Sequence, residues 1–206
     1  MSQSSSDPEP NQELPSGDGA PVESPDTYAL VPPLSYAAEI PPLNKHGMLP
    51  TGVYLVTLDQ IQYTFGTSTP RRAELWTKFM TYLEHLRATR LVRTIYIDGS
   101  FTSNTNITTG KDEPGDIDVV ADLVQSPDVV MYYQNNPSAL QQALQLLDHD
   151  TVKATFEVDV WKWYPGIPPR TDYDLIDFFQ KIRPALAARL GIEDPTYRKG
   201  ILRVIL

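Results

Sequence analysis

Apolar positions follow two different rhythms along this chain. From Arg71 to Val92, the residues Leu75, Trp76, Phe79, Met80, Leu83 and Leu86 recur at steps of three and four with charged residues between them. That spacing predicts a long amphipathic helix whose aromatic-rich stripe faces a core. On either side the rhythm shortens. Val53 to Val56 and Thr94 to Ile97 are β-branched and aromatic runs, the second stopping at Asp98-Gly99-Ser100, and Ile117 to Leu123 is an apolar run interrupted by Asp118 and Asp122. These read as strands. Thr57 or Asp59 is expected to cap a short helical turn through Ile61 and Phe65. Residues 101–115 read as a polar loop, Ser138 to Leu147 as a helix capped by Ser138 or Asn136, and Thr151 to Trp163 as one long strand. A last helix is expected from Asp172 or Asp174 through Tyr173 to about Leu190, bent at Pro184 and ended by Gly191, before a terminal strand over 201–206. Strands interleaved with helices predict an α/β fold, a mixed β-sheet flanked by helices.

Charge divides the chain further. The formal total is −9, but residues 1–44 hold seven acids, no base and nine of the 19 prolines. The stretch up to about Asp26 has too few apolar groups to offset chain entropy. Residues 1–39 are therefore expected to be a disordered acidic arm, with 27–39 able to dock on a domain spanning 40–206. Within that domain the acidity is concentrated: residues 98–122 carry six acids and one base, a net of −5, whereas the rest, 45–97 with 123–206, is +3. A broad cationic footprint for DNA is not expected. No apolar run reaches the roughly 18–20 residues of a membrane span, and the amino terminus has no basic region followed by an apolar one, so a cytoplasmic protein is expected. The chain has no cysteine, which excludes disulfides, thiol nucleophiles and zinc ribbons.

Three segments place polar groups where chemistry needs them. In Asp98-Gly99-Ser100 a strand runs into a turn where glycine permits close backbone approach and serine offers a hydroxyl to a phosphate. In Asp116-Ile117-Asp118 the two acids share a strand face, roughly 6.6–7 Å apart. In Glu157-Val158-Asp159 two more acids share a face, so either Glu157 or Asp159 is expected to complete a three-carboxylate cluster on a neighbouring strand. Such acids must bind a cation or a proton. Oxygen ligands without cysteine favour Mg²⁺ or Mn²⁺ over zinc. Trp161 and Trp163 flank Lys162 and read chiefly as packing residues, with base stacking as the alternative. His85 reads as a half-buried polar residue.

The order of strand, Gly-Ser, Asp-x-Asp strand and acid-bearing strand resembles the nucleotidyltransferase-fold, or polymerase-beta-like, superfamily. The segments IPPLNKHGMLPTGVY, IYIDGSF, KDEPGDIDVV and RKGILRVIL are similar to a bacterial and phage group of small nucleotidyltransferase-like proteins, over residues 40–206. The resemblance implies a minimal nucleotidyltransferase-like domain that moves a nucleotidyl group from an NTP to a protein or RNA acceptor, in a toxin–antitoxin or phage-defence setting. It implies Asp116, Asp118 and Asp159 as the metal-binding and catalytic acids, with Glu157 competing for the third place. Gly99 and Ser100 would hold the nucleotide, and Lys111 would reach its triphosphate. The 15-residue spacer from Ser100 to Asp116 is longer than the family pattern, and its Asn/Thr-rich part, Ser103 to Thr109, is expected to bulge into solvent. The alternative is an inactive nucleotidyltransferase fold acting as a protein-interaction module. An Asp-x-Asp glycosyltransferase would leave the Gly-Ser turn unexplained.

Overall fold

The long apolar stripe does become a helix, and it lies across one face of a five-stranded mixed sheet. A computed structural model describes residues 36–124, 126–163 and 175–206, all within one compact unit, Ser35–Leu206. Its strands are β1 (Gly52–Leu55), β2 (Val92–Asp98), β3 (Ile117–Leu123), β4 (Val158–Trp163) and β5 (Gly200–Ile205). In space they run β1-β5-β2-β3-β4. β1 and β5 are parallel, β2 is antiparallel to both β5 and β3, and β3 and β4 are parallel. The expected mixed α/β class is thus the observed one.

The helices are α1 (Leu58–Ile61), α2 (Pro70–Thr89), α3 (Thr105–Thr109), α4 (Pro127–Asn135), α5 (Pro137–Gln145), α6 (His149–Phe156), α7 (Leu175–Gln180) and α8 (Pro184–Leu190). Thr57 closes a capping box with Gln60 at the start of α1, which runs on into a π-helical turn over Gln62–Gly66. Thr69 caps α2 and Pro70 fills its first turn. The helix stops at Thr89, short of Val92, because Arg90 adopts a left-handed conformation (φ 57°) and turns the chain into β2.

Leu75, Phe79, Leu83 and Leu86 of α2 are fully buried against Ile95, Ile97, Ile117, Val119, Val158 and Val160 of the sheet. Each such side chain contributes about 1.5–3 kcal/mol on leaving water. The opposite face carries a smaller apolar cluster, Tyr96, Val120 and Ile201, packed under Leu175, Ile176 and Phe179 of α7. That face carries the acids.

Several expectations need correction. The single strand over 151–163 is a helix followed by a strand. Asp148 caps α6 by accepting from the Thr151 N–H (3.0 Å), and Val152 and Phe156, four apart, face the core beside α2. The β-branched residues Thr151, Val152 and Thr155 suggest a strand, but capping and core contacts prevail. The polar loop over 101–115 contains a 3₁₀ turn, Ser100–Thr102, and α3, capped by Asn104 and ended by Gly110 at φ 71°. The Asn/Thr-rich insertion does not bulge away: Ser103, Thr105 and Thr108 are buried, and Asn104 N–H donates to Gly47 O (2.8 Å). α4 was not expected. α5 starts at Pro137 and ends at Gln145, with Asn136 at its cap position making no side-chain cap bond. The last helical region is two helices, with Pro184 opening α8 and Gly191 (φ 65°) ending it. Its expected start at Asp172 to Asp174 lies outside the described residues. So does most of the expected arm, although residues 36–39 do dock: Ala37 N–H donates to Leu55 O (2.8 Å), and Gln60 Nε2 donates to Ala37 O (3.0 Å). His85 is exposed against Phe156.

Candidate functional site

Strand register brings the acids together. Asp98 at the end of β2 pairs with Asp118 on β3, and Asp118 pairs with Asp159 on β4. Residues paired across neighbouring strands project from the same face, so these three carboxylates form a row at one end of the sheet. Asp116, two residues before Asp118 and just outside β3, joins the row: its charge, with those of Asp98 and Asp159, bears on Asp118. Burial first, and then these three like charges, push the Asp118 carboxyl up to about 7, against a smaller opposing effect of Lys199.

Gly99 makes this row possible. It sits at φ 81°, ψ −154°, a conformation left almost entirely to glycine. A Cβ there would fall 1.7 Å from Asp118 Oδ2 and 2.6 Å from its Cγ, so the Asp118 carboxylate fills the space a side chain would need. The turn that follows is held by Arg72 of α2, a residue only 6% exposed. It donates to Phe101 O, to Ser103 O (2.8 Å) and to Ser100 O (3.4 Å), and lies over the Phe101 ring. Burial lowers its pKa from the ordinary arginine value. Ser100 therefore has its backbone pinned directly beside the acid row.

Cations neutralise much of the row. Lys153 of α6 places Nζ 2.9 Å from both Asp116 Oδ2 and Asp159 Oδ2, and these two bonds raise its pKa. Lys199, just before β5, pairs with Asp98 Oδ2. His149, one turn before Lys153, holds Nε2 2.7 Å from Asp159 Oδ1 and Nδ1 2.9 Å from Asp150 Oδ1; Asp150 does most to raise its pKa, burial opposes, and Asp159 adds to the rise. Asp159 Oδ1 is nonetheless buried without a hydrogen bond of good geometry. None of these three partners is assigned by strand periodicity. Lys153 lies on a helix that reads as strand, His149 lies just before that expected strand, and Lys199 approaches Asp98 only through the β2–β5 pairing.

Glu157 is not part of the row, which corrects the expectation that it competes for the third place. It caps α6 in a left-handed conformation (φ 55°), and this residue, not strand alternation, sets its direction. Its carboxylate goes to α2, 2.8 Å from Arg71 Nη2 and 2.5 Å from Lys78 Nζ, and those partners hold it down to about 2. Lys111 is exposed just past α3, and among the described residues no contact ties its side chain to the acids. Trp163 packs edge-on to Tyr96, while Trp161, 43% exposed, touches His149 and Phe179. A groove of about 940 Å³ along α2, lined by Trp76, Met80, Glu84 and Arg87 among others, includes none of the acids.

Among the described residues, no three His, Asp or Glu side chains form a group ready to hold a metal ion; Lys153 occupies the position between Asp116 and Asp159. The donors nevertheless suit a hard divalent cation: all are carboxylate oxygens, and two already hold a cationic group. Among the described residues no helix is long and apolar enough to cross a membrane. A family model described as "Family of unknown function (DUF6932)" matches residues 41–205. No curated protein and no solved structure matches the chain.

Proposed function

Starting from a chain that belongs to the DUF6932 family, we propose that it is a metal-dependent nucleotidyltransferase that moves a nucleotidyl group from an NTP to a hydroxyl of a protein or RNA. The observation that carries this reading is the register of Asp98, Asp118 and Asp159 across three strands, beside a glycine whose missing side chain makes room for Asp118. In this reading the carboxylates that would hold a metal lie beside the turn that would hold phosphate.

Asp116, Asp118 and Asp159 would hold Mg²⁺ or Mn²⁺. When bound, the ion supplies charge neutralisation for the triphosphate and lowers the pKa of the attacking hydroxyl. The chain's own residues supply the rest. The Ser100 turn, braced by Arg72, positions the β/γ-phosphates through its backbone and hydroxyl. The acceptor oxygen attacks the α-phosphorus, the bond to pyrophosphate breaks, and the hydroxyl proton passes to a carboxylate of the row or to water. Positioning and electrostatics then account for most of the catalysis.

The test is transfer of α-labelled NTP onto protein or RNA in an extract with Mn²⁺. Label should appear with the wild type and vanish with Asp116→Ala/Asp118→Ala; equal transfer by the double variant refutes the mechanism. A second reading, a non-catalytic interaction module, is favoured by the Lys153 ammonium already lying between two of the acids. It predicts no binding of Mn²⁺ or ATP at millimolar ligand.

A further inference from the structure

Lys153 and Lys199 both neutralise the acid row, but they are held differently. The Lys199 side chain is 18% exposed and its partner Asp98 only 5%. The Lys153 side chain is 42% exposed. It reaches the row from α6, and among the described residues its ammonium contacts are the two carboxylates. Lys199 is thus built in, whereas Lys153 has an open path to water.

We propose that Lys153 is a displaceable counter-ion: its ammonium keeps Asp116 and Asp159 together in the metal-free protein, and a divalent cation binds by driving it out. The inference rests on the functional reading above, because it assumes that these acids take a metal. Its physical basis is direct competition. The ammonium bonds to one oxygen of each acid at 2.9 Å, where a bridging ion would itself have to sit at about 2.0–2.6 Å from the same atoms. The two cations cannot share the place. The exchange is favourable because a divalent charge neutralises the row more fully, and the freed lysine regains rotamer freedom in water. The cost of losing two ion pairs is limited by the exposure of Lys153. The arrangement also removes a folding problem, since four clustered carboxylates would otherwise repel one another until metal arrived.

Mn²⁺ titration followed by electron paramagnetic resonance, on wild type and Lys153→Met, tests this. Removing the competitor should tighten Mn²⁺ binding by about tenfold or more, while Lys153→Arg should stay near wild type. Binding by the wild type that is tightened in K153M supports the inference, whereas binding by K153M alone overturns it, because the ammonium is then not displaced. Binding by the wild type with equal or weaker binding by K153M overturns it and leaves the nucleotidyltransferase reading intact. Failure of both proteins to bind overturns both. Should K153M not fold, a crystal of the wild type soaked in Mn²⁺ decides. An ion between Asp116 and Asp159 with the ammonium released supports the exchange; an ion bound with the ammonium still on both acids overturns it.

Discussion

Replacing Asp118 with asparagine removes a charge that its own neighbours oppose. In the folded protein this carboxyl is pushed from 3.8 to about 7, by burial first and then by Asp98, Asp116 and Asp159. The folded state therefore binds the proton more tightly than the unfolded chain, and the sign of the effect follows. Below the unfolded value the group is protonated in both states and costs nothing. As pH rises the unfolded chain ionises first, so stability falls continuously until the folded group also ionises near 7. At about 1.4 kcal/mol for each tenfold difference in proton affinity, the completed cost is roughly 4 kcal/mol. Asparagine, always neutral, escapes it. In urea unfolding with a chelator present, Asp118→Asn should be more stable than wild type by under about 2 kcal/mol near pH 5 and by up to roughly 4 kcal/mol near pH 8. A stability gap that does not widen with pH, or an asparagine variant less stable than wild type near pH 8, refutes the reasoning.

Two other substitutions probe neighbouring parts of the site. Gly99→Ala should abolish Mn²⁺ binding, since its Cβ would displace the Asp118 carboxylate, and should cost at least about 1–3 kcal/mol of stability from backbone strain alone. The same change in an Asp118→Ala background should cost less, because the clashing oxygen is gone; a double-mutant cycle with no coupling counts against the packing argument. Glu157→Gln should leave Mn²⁺ affinity unchanged, as measured by titration, because its carboxylate serves Arg71 and Lys78. It should cost roughly 0.5–1 kcal/mol near neutral pH after solvent screening. That contribution, from a carboxylate held down to about 2, is lost as pH falls through the ordinary carboxylate range toward that value, so unfolding curves for the two proteins should converge in acid.

The legible part of this site was the part set by local alternation. Asp116 and Asp118 flank Ile117, whose burial fixes the strand and so aims both acids the other way. Gly99 was legible because few residues but glycine follow a strand into so tight a turn. Alternation offers Asp159 as one of two candidates, and the same logic admits Glu157 because a helix cap at that position cannot be seen from apolar spacing. Cross-strand register was less visible still. Asp98 was only one acid in an acidic segment until its pairing with Asp118 placed it in the row. Lys153 and Lys199 were illegible as counter-ions: the first needed α6 to be a helix, and the second needed a strand from the far end of the domain to arrive beside β2. The insertion after Ser100 reads as a loop because Thr and Asn are weak helix formers, whereas caps at Asn104 and Gly110 make a short helix of it.

The place of β5 also sets an order of events during synthesis. Among the described residues β1 pairs only with β5, and β2 has β5 on one side, so a growing chain carries both strands with those edges unfilled until residues 200–205 have left the ribosome. Lys199, directly before β5, arrives with it. Until then Asp98 faces Asp118 without its built-in partner, and the nascent sheet lacks both a strand and a charge at the same spot. Completion of the backbone ladder and neutralisation of that end of the acid row are therefore a single late step.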